Sequence, residues 1–212
     1  MKKFYFLSLL LSCMLFFSGS TFSQTAGKST QLFNGKNLDN WVFHLRDQSV
    51  DAQGVFYIKD GVIHITGAPF GYMRTKEVYS DYVLHVEWRY PVEATNSGIF
   101  INVQTPDTIW PVCFEIQLRS GSAGDFVLMG GSTIAEKTER TSVPKKNPSN
   151  EKPVGEWNTA EITSSGDVIE VVINGLLQNR GTKASVTRGH ICLQSEGKDI
   201  EFRNVYITRL KK

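Results

Sequence analysis

Cysteine is scarce in this 212-residue chain, with three in all, at positions 13, 113 and 192. So few cannot build the dense disulfide framework that props up small exported domains. The four histidines and the cysteines never fall at the spacing of a structural zinc site. Net charge is nearly absent as well, with 23 Lys and Arg against 21 Asp and Glu. That balance gives no sign of the basic face of a nucleic-acid binder. No stretch keeps a 3.6-residue apolar period, so long amphipathic helices are not expected. The sequence contains no Gly-x-Ser-x-Gly, no P-loop and no His-Glu-x-x-His. Gly130-Gly131 stands outside any strand–glycine–helix context and carries no phosphate signal.

The chain opens Met1-Lys2-Lys3, runs almost wholly apolar over 4–17, and leaves through small residues over 18–23. This is the pattern of a secretory signal peptide, residues 1–23, cleaved before Gln24. The apolar run is too short for a comfortable membrane span. Leu10-Leu11-Ser12-Cys13 resembles a lipobox, which makes a lipid anchor at Cys13 the alternative. Loss of Lys2 and Lys3 with the leader leaves 21 basic against 21 acidic residues. A polyanion or an acidic membrane surface is therefore not an expected partner. The remainder, residues 24–212, is expected to form one periplasmic or secreted domain, large enough to bury a core unaided. Cys113 and Cys192 stay in it; whether they pair cannot be deduced from sequence.

Strand signals recur along the mature chain, separated by Gly, Asn, Asp and Pro. Residues 55–58 and 61–66 read as a hairpin around Lys59-Asp60. Further strands are expected over 82–90, 97–103, 112–119, 126–129, 158–163, 168–174, 176–178, 190–194 and 200–210. Asn174-Gly175 between apolar runs is a strong hairpin signal, because both turn positions need positive φ. Many short strands with few helices mean an all-β sandwich or barrel, and a jelly roll of two antiparallel sheets suits this size. Residues 133–153, rich in Lys, Glu, Thr, Asn and Pro, read as a long surface loop.

Residues 112–119 alternate strictly: Val112, Phe114, Ile116 and Leu118 on one side, Cys113, Glu115, Gln117 and Arg119 on the other. Successive strand side chains point to opposite faces, so the second set lays a carboxylate, an amide and a guanidinium in a row. The same reading puts His85, Glu87 and Arg89 together, then Phe100, Asn102 and Gln104, then Cys192, Gln194 and Glu196. If these strands share a sheet, their polar faces make a groove suited to the many hydroxyls of a carbohydrate, with Trp110, Tyr72 or Phe70 able to stack on sugar faces. A polar strand face is also what plain solvation produces. His44, His64, His85 and His190 read as structural, and Trp41, Trp88 and Trp157 as core. The Glu-x-Asp-x-x-Glu run of a retaining jelly-roll glycosidase is absent, since Glu115 is followed by Gln117 and Ser120.

Seven segments, in order, resemble the 3-keto-disaccharide hydrolase family over about residues 31–210. They are Leu32-Phe33-Asn34-Gly35 with Leu38 and Trp41; Asn96-Ser97-Gly98-Ile99; Phe114-Glu115-Ile116-Gln117; Gly155-Glu156-Trp157-Asn158; Asn174-Gly175; Leu193-Gln194-Ser195-Glu196-Gly197; and Phe202-Arg203-Asn204-Val205. The resemblance implies a concanavalin- or laminin-G-like jelly roll, and an enzyme acting on glycosides oxidised at C3. A C3 ketone acidifies the C2 proton, so a base can remove it and the glycosidic oxygen can leave C1, after which water adds to the enone. Carried onto this chain, Glu115 becomes the general base, or the ligand of a divalent metal that polarises the ketone. Glu196 becomes the second carboxylate, as acid or clamp. Gln117 and Arg119 become sugar or enolate contacts, with Glu87, Asn102, Arg74, His44 and Trp110 as further substrate-binding candidates. Asn158, Asn174 and Asn204 match the family pattern but read as turn and backbone-satisfying residues. A non-catalytic carbohydrate-binding module on the same sandwich is the alternative, and a surface adhesion domain a third reading, because fold alone does not fix function.

Overall fold

The computed structural model describes residues 26–211; the leader read in residues 1–23, and Cys13 within it, lie outside the described residues. The strands run β1 (Ala26–Gln31), β2 (Trp41–Leu45), β3 (Phe56–Lys59), β4 (Val62–Ile65), β5 (Gly71–Thr75), β6 (Tyr82–Arg89), β7 (Gly98–Val103) and β8 (Cys113–Gln117). They continue as β9 (Phe126–Met129), β10 (Ser142–Val143), β11 (Asn158–Ser165), β12 (Val168–Ile173), β13 (Leu176–Gly181), β14 (His190–Ser195) and β15 (Ile200–Leu210). One four-residue helix, α1 (Ala52–Val55), precedes β3 and is capped by Asp51, whose side chain accepts from the Gln53 N–H. Among the described residues no helix is long and apolar enough to cross a membrane.

The strands form two antiparallel sheets, a jelly-roll sandwich. One sheet has eight strands in the order β13-β12-β11-β6-β15-β4-β3, with β1 pairing β15. The other has seven, in the order β10-β9-β8-β7-β14-β5-β2. Alternation drives the packing. Leu84, Val86 and Trp88 of β6 and Ala160 and Ile162 of β11 face Ile99, Ile101, Phe114, Ile116, Ile191 and Leu193 of the opposite sheet, in one buried core. The alternate residues of β6 stay half-buried on the outer face.

Turn chemistry places the strand ends. Asn174 and Gly175 both take positive φ between β12 and β13, as expected of a tight hairpin. The β3–β4 hairpin turns one residue later than read from the sequence, at Asp60-Gly61, both at positive φ. The 133–153 segment is tied down rather than loose. Asp125 accepts from the Lys145 N–H, and Asn147 and Asn150 donate to the carbonyls of Leu177 and Ile173. Asn158 and Asn174 do close backbone here, accepting from the N–H groups of Lys152 and Thr159.

Trp157 is not a core residue. It lies on the outer face of the eight-stranded sheet, with the guanidinium carbons of Arg203 and Arg89 at 4.0 and 4.6 Å from its ring centroid. Cys113 and Cys192 are free and buried. Strand β7 runs between theirs, so their backbones stand about 9–10 Å apart, beyond the reach of a disulfide.

Candidate active site

The outer face of the seven-stranded sheet holds the chemistry. Its strands turn Tyr72, Phe100, Val103, Cys113, Met129 and Cys192 away from the main core into a second, smaller buried cluster. The 104–112 loop between β7 and β8 is fastened to this face. The Tyr72 hydroxyl donates to the Thr108 carbonyl at 3.0 Å. Arg74 forks onto Asp107, Nε to Oδ1 at 2.7 Å and Nη2 to Oδ2 at 2.8 Å. Burial works against ionisation of Asp107, but the Arg74 guanidinium outweighs it and holds the carboxyl below its ordinary range. Trp110, 54% exposed, brings its ring to 4.9 Å from that of Phe70, and His44 packs 5.3 Å from Tyr72.

Beside this loop the cross-strand register assembles an acidic centre. Gly98 of β7 pairs with Gln117 of β8, and Phe100 with Glu115. On the other side of β7, Leu193 pairs with Ile99, which sets Gln194 next to Gly98. The Glu115 side chain lies over Gly98. A Cβ at that glycine would sit 2.9 Å from Glu115 Cγ and Cδ and closer still to Oε1. Glycine within a strand often marks such an approach.

Glu115 is 4% exposed. Burial, with Glu196 nearby as a second cause, pushes its carboxyl up to about 8. Its Oε1 has no hydrogen-bond partner, nor has the buried Oε1 of Gln194. Gln194 donates from Nε2 to Glu196 Oε2 at 2.8 Å, and its backbone carbonyl accepts from Ser97 Oγ at 2.9 Å. Gln117 shares the Glu115 side of β8 and accepts the Arg119 N–H on Oε1 at 2.8 Å. That contact leaves its Nε2 to donate.

Glu115, Gln117, Gln194 and Glu196 thus come together, with Arg74, His44 and Trp110 on the same face. Three expected contacts do not. Asn102 sits at a bulge where φ is +55° and the β7–β14 register shifts. Its side chain points inward and donates to Ser164 Oγ and the Val186 carbonyl, while Val103 takes the outer face in its place. Glu87 belongs to the other sheet, where Arg203 Nε and Asn204 Nδ2 donate to it at 2.6 Å each. Arg119 lies past the end of β8 in the turn to β9, exposed, with Nη2 on Ser122 Oγ, so the row in 112–119 stops at Gln117.

Sequence reading left Gln194, Asp107 and Gly98 unassigned. Gln194 was visible in the Cys192, Gln194, Glu196 alternation, and Gly98 as a glycine inside a strand; Asp107 gave no signal. Among the described residues no group of three or more His, Cys, Asp and Glu converges to hold a metal ion, and Asp107 is committed to Arg74.

Residues 28–208 match the model of the family described as the 3-keto-α-glucoside-1,2-lyase-like domain. A search of curated proteins returns no match. Two solved structures from Parabacteroides distasonis, each described as a “putative glycosyl hydrolase”, share the fold. One is 24% identical, with 87% of this chain and 100% of that chain covered at a TM-score of 0.66. The other is 23% identical, with 86% and 94% covered at 0.65. The Bacillus licheniformis β-glucanase is 13% identical, with 89% and 100% covered at 0.54.

Proposed function

We infer a reaction from one premise, that the chain belongs to the 3-keto-α-glucoside-1,2-lyase-like family: it cleaves the glycosidic bond of sugars that carry a ketone at C3. The observation that carries the reading is Glu115, a buried carboxyl whose proton affinity has risen to about 8. Ordinary glycoside hydrolysis by retention wants an ionised nucleophile. Removal of a C2 proton beside a ketone wants a stronger base, with a pKa near the working pH. At pH 7 only the smaller part of Glu115 is ionised, and that fraction is far more basic than an exposed carboxylate.

In this reading Glu115 takes the C2 proton, and the Nε2 of Gln117 donates to the ketone oxygen as it gains enolate charge. The C1–O bond then breaks, with the proton that Glu115 has taken passing to the departing oxygen and Glu196 clamping the substrate. Addition of water across the C1–C2 enone, with Glu115 taking a proton from the water as its hydroxyl joins C1 and giving that proton to C2, completes net hydrolysis; release of the enone itself would be a lyase outcome. Trp110 and Phe70, on the same face, offer a stacking surface for a sugar ring or aglycone. The leader read in residues 1–23 would place this activity outside the cytoplasm.

The test is a paired assay. The purified protein should release the aglycone from a 3-keto-glucoside and leave the parent glucoside intact. Glu115→Gln should lower turnover at least 100-fold while keeping the wild-type circular dichroism spectrum. Cleavage of the parent glucoside at a comparable rate, or full turnover in Glu115→Gln, would overturn the assignment.

A further inference from the structure

Two acceptor oxygens are stranded in the acidic centre, Glu115 Oε1 and Gln194 Oε1, both buried and neither with a partner. A buried acceptor left unsatisfied costs about 1–3 kcal/mol, so two within one small site call for a shared explanation. The amide of Gln194 cannot turn round to relieve its own. Its Nε2 is held on Glu196 Oε2 at 2.8 Å, and the reversed amide would set an oxygen against a carboxylate. Gln194 Oε1 therefore faces away from Glu196. The register puts Gln194 beside Gly98, and the Glu115 carboxyl lies over that same glycine. Both side chains thus border the space left open at Gly98. The acid proton of Glu115 is a hydrogen that could satisfy both oxygens.

We propose that Gln194 is a positioning residue that ties the two carboxyls into one proton-sharing unit, its Oε1 accepting from the Glu115 O–H and its Nε2 donating to Glu196. The inference deepens the reading of Glu115 as a base. Gln194 stabilises the protonated form that Glu115 reaches on taking a proton, and so raises its basicity. The same amide fixes Glu196 on the far side. The groups that face Glu115 are few. Cys113 lies on its own strand, Cys192 and Glu196 on and after β14, and the Arg74–Asp107 pair on the β5 side; β7 offers Gly98 and Phe100, and β9 offers Val127. Burial pushes both thiols up, and Asp107 is matched by Arg74. Glu196 is left as the charge to which Glu115 responds, and Gln194 as the amide between them.

The test is a carboxyl-carbon NMR titration with 13C-labelled Glu and Gln, using Glu115→Gln and Gln194→Met for assignment. In wild type the Gln194 Cδ resonance should titrate with the same midpoint as the Glu115 Cδ resonance, and should cease to do so in Glu115→Gln. In Gln194→Met the neutral carboxyl loses its acceptor, so the Glu115 midpoint should fall by about half to one pH unit. On a 3-keto-glucoside the acid limb of the kcat/KM profile should move down by the same interval. A Gln194 resonance blind to Glu115, or a midpoint unchanged or raised in Gln194→Met, would overturn the proposal. A lack of cleavage would instead overturn the functional reading and leave the titration to decide on Gln194. The wild-type experiment stands even if Gln194→Met does not fold.

Discussion

Gly98→Ala separates the fold from the chemistry more cleanly than any other single change. Gly98 sits within β7 outside the positive-φ region, so its backbone suits alanine, and the smaller entropy of the unfolded chain favours the variant by about 0.4–1 kcal/mol. Against that stands the added methyl group. It would lie 2.9 Å from Glu115 Cγ and Cδ and closer to Oε1, where carbon contacts settle near about 3.5–4 Å. The three nearest atoms it would meet all belong to one flexible side chain, that of Glu115. Relief therefore comes from moving the carboxyl roughly 0.5–1 Å, not from spreading the sheet. Overpacking of this kind costs about 1–3 kcal/mol where nothing can yield, and here the carboxyl yields. The variant should melt within a few degrees of wild type by circular dichroism. Misplacement of a reacting group by about 1 Å costs on the order of 100-fold in rate, so kcat/KM on a 3-keto-glucoside should drop about that far. Wild-type kcat/KM would refute the placement of Glu115 as the reacting base. A collapse in melting temperature would refute the claim that its carboxyl is what fills the space.

Two other predictions concern charge. An unfolded glutamate titrates near about 4.3, whereas folded Glu115 does so at about 8. Between those values the native state holds a proton that the unfolded state has released, so stability drains away as pH rises through the folded value. Glu115→Gln cannot ionise; urea melts should match wild type below about pH 4 and exceed it at about pH 9 by an amount on the order of 5 kcal/mol, and parallel curves would contradict the raised proton affinity. Asp107→Ala leaves the Arg74 guanidinium without its forked partner, and should cost about 1–3 kcal/mol by urea melts; an unchanged midpoint would show that the pair does not hold the 104–112 loop.

Much of the architecture was legible because alternation and turn chemistry are local. Residues 82–90 and 112–119 wrote their two faces plainly, and Asn174-Gly175 marked its hairpin. Strands β1, β2, β5 and β10 were not expected from sequence, and for β5 the reason is physical. Gly71–Thr75 is buried on both faces over most of its length, since the outer face lies beneath the 104–112 loop, and such a strand shows no alternation to read. The site was half legible. Alternation assigns a side chain to one face of its own strand, and says nothing of which sheet the strand joins. Glu87 and Glu115 therefore read alike and lie on opposite outer faces. Asn102 was lost to a bulge, a backbone event that swaps inside for outside within one residue. Gln194 was seen as polar but could not be ranked, because its importance comes from what lies across Gly98.

The central claim is that bond cleavage begins with removal of the proton at C2. A 3-keto-glucoside carrying deuterium at C2, assayed at low substrate concentration against its protiated twin, tests this most directly. Slower release of the aglycone from the deuterated substrate is the predicted result. Equal rates together with full retention of deuterium at C2 in both the recovered substrate and the product would contradict it.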